Sequence, residues 1–175
     1  MNRKPPVTDP LTDMELGPDQ LRSYFIIHLN KIYSAKSHLA ERLPEIAVHA
    51  NFKDLKHAIA ETIDDVERQI ARMEEIYLLL DTPIQVENCS GFTGMVEDAY
   101  DAIHEQEDNL VLRDLSILFY MQNIESVEMA SFQVLKMVAV KLKNKQLTQL
   151  LTENFDEAKE DRALLLLITK KYLTS

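Results

Sequence analysis

Helix breakers are scarce over most of this 175-residue chain. It contains only three glycines, and four of its six prolines lie within the first eighteen residues. Because glycine and proline most often interrupt helices, the stretch from Asp19 to the C-terminus is expected to be helical nearly throughout. The sequence therefore predicts an all-α protein with one domain at 19–175, preceded by a flexible N-terminal tail at 1–18.

Apolar residues recur at helical spacing in four long stretches of the chain. We expect long helices at about 18–50, 51–81, 109–143 and 147–173. Asn51 is expected to cap the second of them, because asparagine is a favoured N-cap residue. A short helix at about 91–105 interrupts the long connection between the second and third helices. Such a connection can run the length of a bundle, so the pattern predicts a four-helix bundle with a crossover that carries a short fifth helix.

Two acidic residues interrupt the apolar face of the third long helix. Glu125 and Glu128 share that face with apolar neighbours on both sides, in the stretch 118–132. A buried carboxylate is costly unless a cation or a hydrogen-bond donor meets it. An acidic pair spaced three residues apart on an inward helix face is also what carboxylate metal sites use. A metal site and a salt-bridged or hydrated polar core both remain open at this point.

Each of the other predicted long helices also turns polar near its middle, so a single polar layer is expected if the helices are in register. The residues of this layer are Lys36, Thr62, Gln69, Glu125, Glu128, Asn154, Glu157 and Asp161. Its four carboxylates and one ammonium would carry a net charge of −3 when fully ionised. A divalent cation, protonated carboxylates and a water-filled cavity are three ways to compensate that charge. The Lys36 ammonium would replace part of a metal's charge and would repel a metal.

The overall charge and the cysteine content limit the partners and the compartment. A net charge of −10 argues against nucleic acid or an anionic membrane surface as a partner, because both require a basic face. The single cysteine, Cys89, makes a reducing compartment the default expectation. The N-terminal segment has no apolar stretch of the signal-peptide type, and the longest apolar run, at 163–169, is too short to span a bilayer. A soluble, cytoplasmic protein is expected.

Four segments, in this order and with this spacing, resemble the YciE/YciF-like branch of the ferritin-like superfamily. They are KIYSAKSHLAERLPEIA, LKHAIAETIDDVERQIARMEEIY, NIESVEMASF and LLTENFDEAKED, and the resemblance covers about 21–173. It implies an up-down-down-up bundle with a long crossover, a homodimer and an association with bacterial stress. It also implies a carboxylate metal centre of the rubrerythrin kind, whose third-helix pair is kept as Glu125 and Glu128 and whose fourth-helix glutamate matches Glu157.

The chain departs from that metal-centre pattern on the first two helices. Lys36 stands where the family has a glutamate on the first helix. Val66 occupies the acid position of the second helix, with Asp65 one place off the inward face, and Gln69 falls where the family has a histidine.

Departures also occur on the other two helices. Ser126 replaces a histidine that is common in the third segment, and the fourth helix offers Asp161 or Glu160 instead of histidine. A ferritin-like two-metal centre uses about six ligands, including imidazoles. Because an inward histidine is missing from the pattern, oxidase or peroxidase chemistry is not expected, whereas a single ion with oxygen ligands remains open.

Three hypotheses about function follow. We favour a non-enzymatic, stress-associated homodimer of the YciE/YciF type, in which Lys36 neutralises Glu125, Glu128 or Glu157. The rival is a redox or iron-handling protein that holds iron, manganese or zinc with Glu125, Glu128, Glu157 and Asp161, with Asp65 and Gln69 at the periphery. The third is a protein-binding scaffold, which predicts a large exposed apolar patch.

Overall fold

The computed structural model describes residues 16–86 and 90–174. These residues form five helices: α1 (Pro18–His49), α2 (Lys53–Leu79), α3 (Ser90–Glu105), α4 (Leu110–Lys141) and α5 (Lys145–Thr174). The prediction of an all-α chain with a short helix in the crossover is confirmed. Proline at the first position of α1 suits a helix start, since its missing N–H has no partner there. The first fifteen residues of the predicted tail, and Cys89, lie outside the described part of the chain.

Four long helices form a closed bundle in which α1 packs against α2, α2 against α5, α5 against α4, and α4 against α1. The pairs α1 and α5, and α2 and α4, therefore lie diagonally across the bundle. The crossover helix α3 packs on the outside against α1 and α4. None of the helices in the described residues combines the length and apolar character that a bilayer crossing needs.

The interior is filled by the apolar stripes that the sequence pattern predicts. Large side chains with almost no exposed surface come from each long helix, including Phe25, Leu39, Met73, Phe132 and Leu151. Each such side chain contributes about 1.5–3 kcal/mol when it leaves water. Pro44 lies inside α1 at an exposed position, and the helix continues through it to His49. One lost hydrogen bond is therefore tolerated because the burial of the stripe continues on both sides of it.

The start of α2 is held by α4 rather than by the predicted cap. Phe52 is the N-cap residue, without a side-chain cap, so the prediction that Asn51 caps this helix is wrong. The backbone N–H groups of Asn51 and Phe52 both donate to the buried carboxylate of Asp114. A negative charge at a helix N-terminus is stabilised by the helix dipole. The carboxylate of Asp114 on α4 therefore replaces a local N-cap side chain at the start of α2.

An ion-pair cluster fixes the crossover helix α3 to α1. The guanidinium of Arg42 donates two hydrogen bonds of 3.0 Å to the carboxylate of Glu97, and it also lies over the ring of Tyr100. The Nε2 atom of His38 lies 2.7 Å from the same carboxylate. The hydrogen bond from Arg42 lowers the pKa of Glu97. The helix α3 therefore stays on the side of the bundle formed by α1 and α4, and a groove lined by α2 and α5 is open to solvent elsewhere on the bundle.

Candidate functional site: a charged layer inside the bundle

A lysine and a glutamate form an ion pair at the centre of the bundle. The ammonium of Lys36, on α1, lies 2.5 Å from Oε2 of Glu128, on α4. Both side chains are 0% exposed. Fully buried lysine and glutamate are rare unless they are paired, because each charge loses its hydration. Of the three carboxylates that the sequence offered as partners of Lys36, the structure brings Glu128 into contact with it.

Glu125 lies one helical turn before Glu128 and is also buried. Its Oε2 atom has no hydrogen-bond partner among the described residues. Burial raises the pKa of Glu125 well above its usual range, and the neighbouring charge of Glu128 raises it further, against a smaller lowering by Lys36. Burial and the charge of Glu128 therefore both disfavour the ionised form of Glu125.

The pKa of Glu128 is raised less strongly than that of Glu125. Burial raises its pKa, while the charge and the hydrogen bond of Lys36 act in the opposite direction. Its second oxygen, Oε1, has no hydrogen-bond partner in the described structure. The ammonium of Lys36 and the carboxylate of Glu128 thus compensate each other's charge.

Asp161, on α5, lies at the edge of this layer, where the bundle opens towards the groove between α2 and α5. It is 6% exposed, and it forms no hydrogen bond or ion pair with the described residues. Burial raises the pKa of Asp161 to about 7, despite an opposing effect of Lys36, and the charges of Glu128 and Glu157 contribute to the rise. Its charge therefore changes near neutral pH.

Glu157 does not join the buried pair, which is the main difference from the predicted layer. Its carboxylate accepts hydrogen bonds of 2.7 and 2.8 Å from the guanidinium of Arg72 on α2, and Arg68 lies 3.5 Å away. Burial raises the pKa of Glu157, but the contact with Arg72 more than offsets this, and the pKa is lowered overall. Arg72 was missed because it lies at the edge of the apolar stripe, three residues beyond Gln69.

The remaining polar residues of the predicted layer surround this second ion pair. Asp65 pairs with Arg68 on the same helix. The side chain of Asn154 accepts from Arg72 at 3.2 Å and donates to the backbone carbonyl of Gln69 at 3.3 Å. Gln69 is fully buried, and its side-chain amide lies beside Glu157 and contributes to the lowered pKa of that carboxyl. The layer thus consists of a buried Lys36–Glu128 centre and an Arg72–Glu157 pair nearer the surface.

The donor set of the layer does not fit a ferritin-like metal centre. Within residues 16–86 and 90–174, no group of three or more His, Cys, Asp or Glu side chains could hold a metal ion. The Lys36 ammonium lies at the carboxylate of Glu128, where a metal would have to bind. Glu157 is directed to Arg72 instead of to Glu125 and Glu128.

The four long helices and the crossover helix place this protein in the class of all-α helical bundles with a long crossover between the second and third long helices. The sequence matches the model of a domain of unknown function, DUF892, over residues 20–173. The chain belongs to this DUF892 family. The resemblance to YciE/YciF-like proteins drawn from the four sequence segments is confirmed.

Individual relatives agree with this assignment. Protein YciF of Escherichia coli strain K12 is 26% identical over 141 residues, which cover 79% of this chain and 84% of that protein. The crystal structure of the E. coli stress protein YciF superposes with a TM-score of 0.83 at 24% identity, covering 89% of this chain and 98% of that one. A structure of YcfI from Rhodopseudomonas palustris, described as a candidate structural protein, gives a TM-score of 0.77 at 22% identity, with 89% and 96% covered.

Proposed function

We propose that this chain is a non-enzymatic, stress-associated structural protein in which a Lys36–Glu128 ion pair takes the place of a metal centre. The stress association rests on the similarity to YciF, which is described as a stress protein. The structural role agrees with the description of the Rhodopseudomonas palustris protein. The observation that carries the proposal is the ammonium of Lys36 within 2.5 Å of Glu128, with both side chains fully buried.

The charge balance of the layer supports this role for Lys36. A divalent cation in the same place would face the ammonium at close range in a medium of reduced dielectric constant, which is strongly unfavourable. Once Glu125 is protonated, Lys36 and Glu128 compensate each other without any further ion. The layer then acts as a polar element that fixes how α1 and α4 pack, as buried polar residues do in some helical assemblies.

The homodimer forms, in this proposal, through an apolar stripe on the outer face of α4. The stripe consists of Phe119, Val127, Val134, Met137 and Val140, and Phe119 and Met137 are 62% and 63% exposed. It extends for about 30 Å at 1.5 Å per residue. Apolar stripes of this length on a soluble bundle mark protein–protein interfaces.

A second copy of the chain fits this stripe because α4 exposes no carboxylate. The three acids of α4, Asp114, Glu125 and Glu128, are all buried. Two copies of a chain with a net charge of −10 can approach each other along such a face without like-charge repulsion. A two-fold axis near Val127 would set Phe119 of each copy beside the groove of about 480 Å³ that Val127, Val134 and Tyr24 line in the other.

A metal-dependent redox or iron-handling role is the second candidate. It is favoured by the unpartnered oxygens of Glu125 and Glu128, since buried carboxylate oxygens without hydrogen bonds are also what an absent ion would leave. In this alternative, iron, manganese or zinc would displace Lys36 and recruit Asp161.

Elemental analysis separates the two functions. The protein is produced with iron, manganese and zinc in the medium and purified without a chelating column. The proposal predicts a folded protein with less than stoichiometric metal, equal to that of a Glu125→Ala/Glu128→Ala variant. Near-stoichiometric metal that is lost in this variant would establish the second candidate instead.

A further inference from the structure

The open groove between α2 and α5 carries an unusual concentration of acids. It has a volume of about 500 Å³. The acids that line it are Glu61, Asp64, Asp65, Glu157, Glu160 and Asp161. Arg68 is the basic side chain of this lining, and it is already paired with Asp65 and Glu157. Glu61, Asp64, Glu160 and Asp161 form no hydrogen bond or ion pair with the described part of the chain.

Asp161 distinguishes this groove from an ordinary solvated acidic surface. Asp161 is only 6% exposed, and its exposed part faces the groove. The carboxylate of Asp161 is largely removed from water, has no hydrogen-bond donor from the described residues and is reached by solvent only from the groove, so its charge is poorly compensated. A ligand that presents an N–H donor at the floor of the groove would satisfy it.

A single metal ion does not fit these acids. They line the groove along two facing helices instead of converging on one point, and in the described residues no three of them are close enough to hold a metal. This distribution of acids is better matched by a cation whose charges are spread along its length than by a compact ion. Protonated amines meet this requirement, because each ammonium donates up to three charge-assisted hydrogen bonds to separate carboxylates.

The groove continues into a smaller, more apolar section of about 260 Å³ that shares Glu61 and Leu164 with the acidic section. Ala58, Leu167 and Ile168 line this section, and the ion pair between Asp54 and Lys171 lies at it. Residues 54–68 of α2, which border both sections, span about 20 Å at the helical rise. Apolar surface beside carboxylates matches a chain of methylene groups that separate ammonium groups.

We propose that the groove between α2 and α5 binds a linear aliphatic polyamine, with one ammonium at Asp161 and further ammonium groups at Glu61, Asp64 and Glu160. The methylene groups of the ligand lie against Leu164. This site is separate from the buried Lys36–Glu128 pair and from the apolar stripe on α4, so binding requires no change in either. No covalent chemistry is involved.

Isothermal titration calorimetry with spermidine at low ionic strength tests this proposal. Two triple variants remove the same three charges: Glu61→Gln/Asp64→Asn/Glu160→Gln in the groove, and Glu41→Gln/Asp98→Asn/Asp101→Asn on exposed positions of α1 and α3. The groove variant is expected to weaken spermidine binding at least about fivefold, since each exposed pair contributes modestly. Asp161→Asn is expected to weaken it about tenfold, because a buried charge-assisted hydrogen bond is lost. The control triple variant should change it less than about twofold.

Several results would overturn the proposal. One is an equal loss of affinity in the two triple variants, which would mean that spermidine responds only to net charge. Another is displacement of spermidine by magnesium at equal ionic strength, since a compact ion would then suffice. Absence of any saturable heat with spermidine would also overturn it. Asp161→Asn is close to isosteric, and the surface variants do not touch the core, so each protein is expected to fold.

Discussion

The ammonium of Lys36 and the carboxylate of Glu128 lie 2.5 Å apart with no exposure to solvent, and they join α1 to α4 at the centre of the bundle. Attraction in the protein interior is strong, but the loss of hydration of the two ions costs several kcal/mol for each ion. The pair is therefore expected to contribute little net stability when intact. Breaking it should be costly, because one charge then remains buried alone.

Replacing Lys36 with methionine is expected to lower the free energy of unfolding by about 3–5 kcal/mol at pH 7, as for other broken buried pairs. The loss should shrink at pH 5, because the raised pKa of Glu128 then lets protonation remove the buried charge. The double variant Lys36→Met/Glu128→Met should recover wild-type stability or exceed it. Urea denaturation at the two pH values measures these differences.

Lys31→Met is the matched control, since Lys31 is an exposed lysine on the same helix. It should change stability by less than about 0.5 kcal/mol. Equal losses for Lys31→Met and Lys36→Met, or no recovery in the double variant, would contradict the assigned role of the pair.

Asp161 should make stability fall as pH rises towards neutrality. Its pKa in the folded protein is about 7, against 3.8 as the ordinary value, so the folded state binds more protons in this interval. Stability is then fully present below about pH 4 and decreases by up to about 1.4 kcal/mol per pH unit until the carboxyl is ionised in both states.

The variant Asp161→Asn isolates this effect. Its stability should equal that of the wild type near pH 3.5 and exceed it by a margin that grows up to about pH 7. The carboxyls with lowered pKa, such as Glu97 and Glu157, act in the opposite direction at lower pH, and they cancel in the comparison. A difference between the two proteins that does not depend on pH would refute the assignment.

Asp114→Ala should destabilise the protein by about 2–4 kcal/mol, because it leaves two backbone N–H groups at the start of α2 without their acceptor. Hydrogen exchange of the amides of Asn51 and Phe52 should accelerate more than exchange in the middle of α2. Asp98→Ala, on the exposed face of α3, serves as the control and should leave both amides protected as in the wild type.

The proposed dimer is tested with a charge placed on the α4 stripe. Val134→Glu should convert the dimer to a monomer in sedimentation velocity experiments, because each copy would bury an unpaired glutamate in the apolar interface. Leu78→Glu, at an exposed apolar position on α2, should leave the dimer intact. A wild-type protein that is monomeric at all accessible concentrations would exclude this interface.

The fold could be predicted from the sequence because its determinants are local and periodic. The apolar stripes fix the helices, and the scarcity of glycine and proline limits where they end. The length of the connection between the second and third long helices indicates the crossover. The same periodicity placed Lys36, Glu125 and Glu128 correctly in the interior, since burial depends on the helix face alone.

The pairing of charges could not be predicted in the same way, because it depends on contacts between helices. Glu157 lies on the inward face of α5, but its carboxylate pairs with Arg72 on α2 and not with Lys36. Asp114 lies four residues before Leu118 on the same face of α4, but it was not among the buried polar residues predicted from the sequence. Its partners, the amides at the start of α2, become apparent only when the bundle is assembled.

The central claim, that Lys36 takes the place of a metal ion, is tested most directly by measuring metal binding of Lys36→Glu beside the wild type. Titration of each protein with Mn²⁺, Fe²⁺ and Zn²⁺, followed by calorimetry and by the shift of the thermal unfolding midpoint, gives affinity and stabilisation together. The account predicts no saturable metal binding at this layer in the wild type, and binding with a raised unfolding midpoint in Lys36→Glu. Equal metal affinity in the two proteins would contradict it.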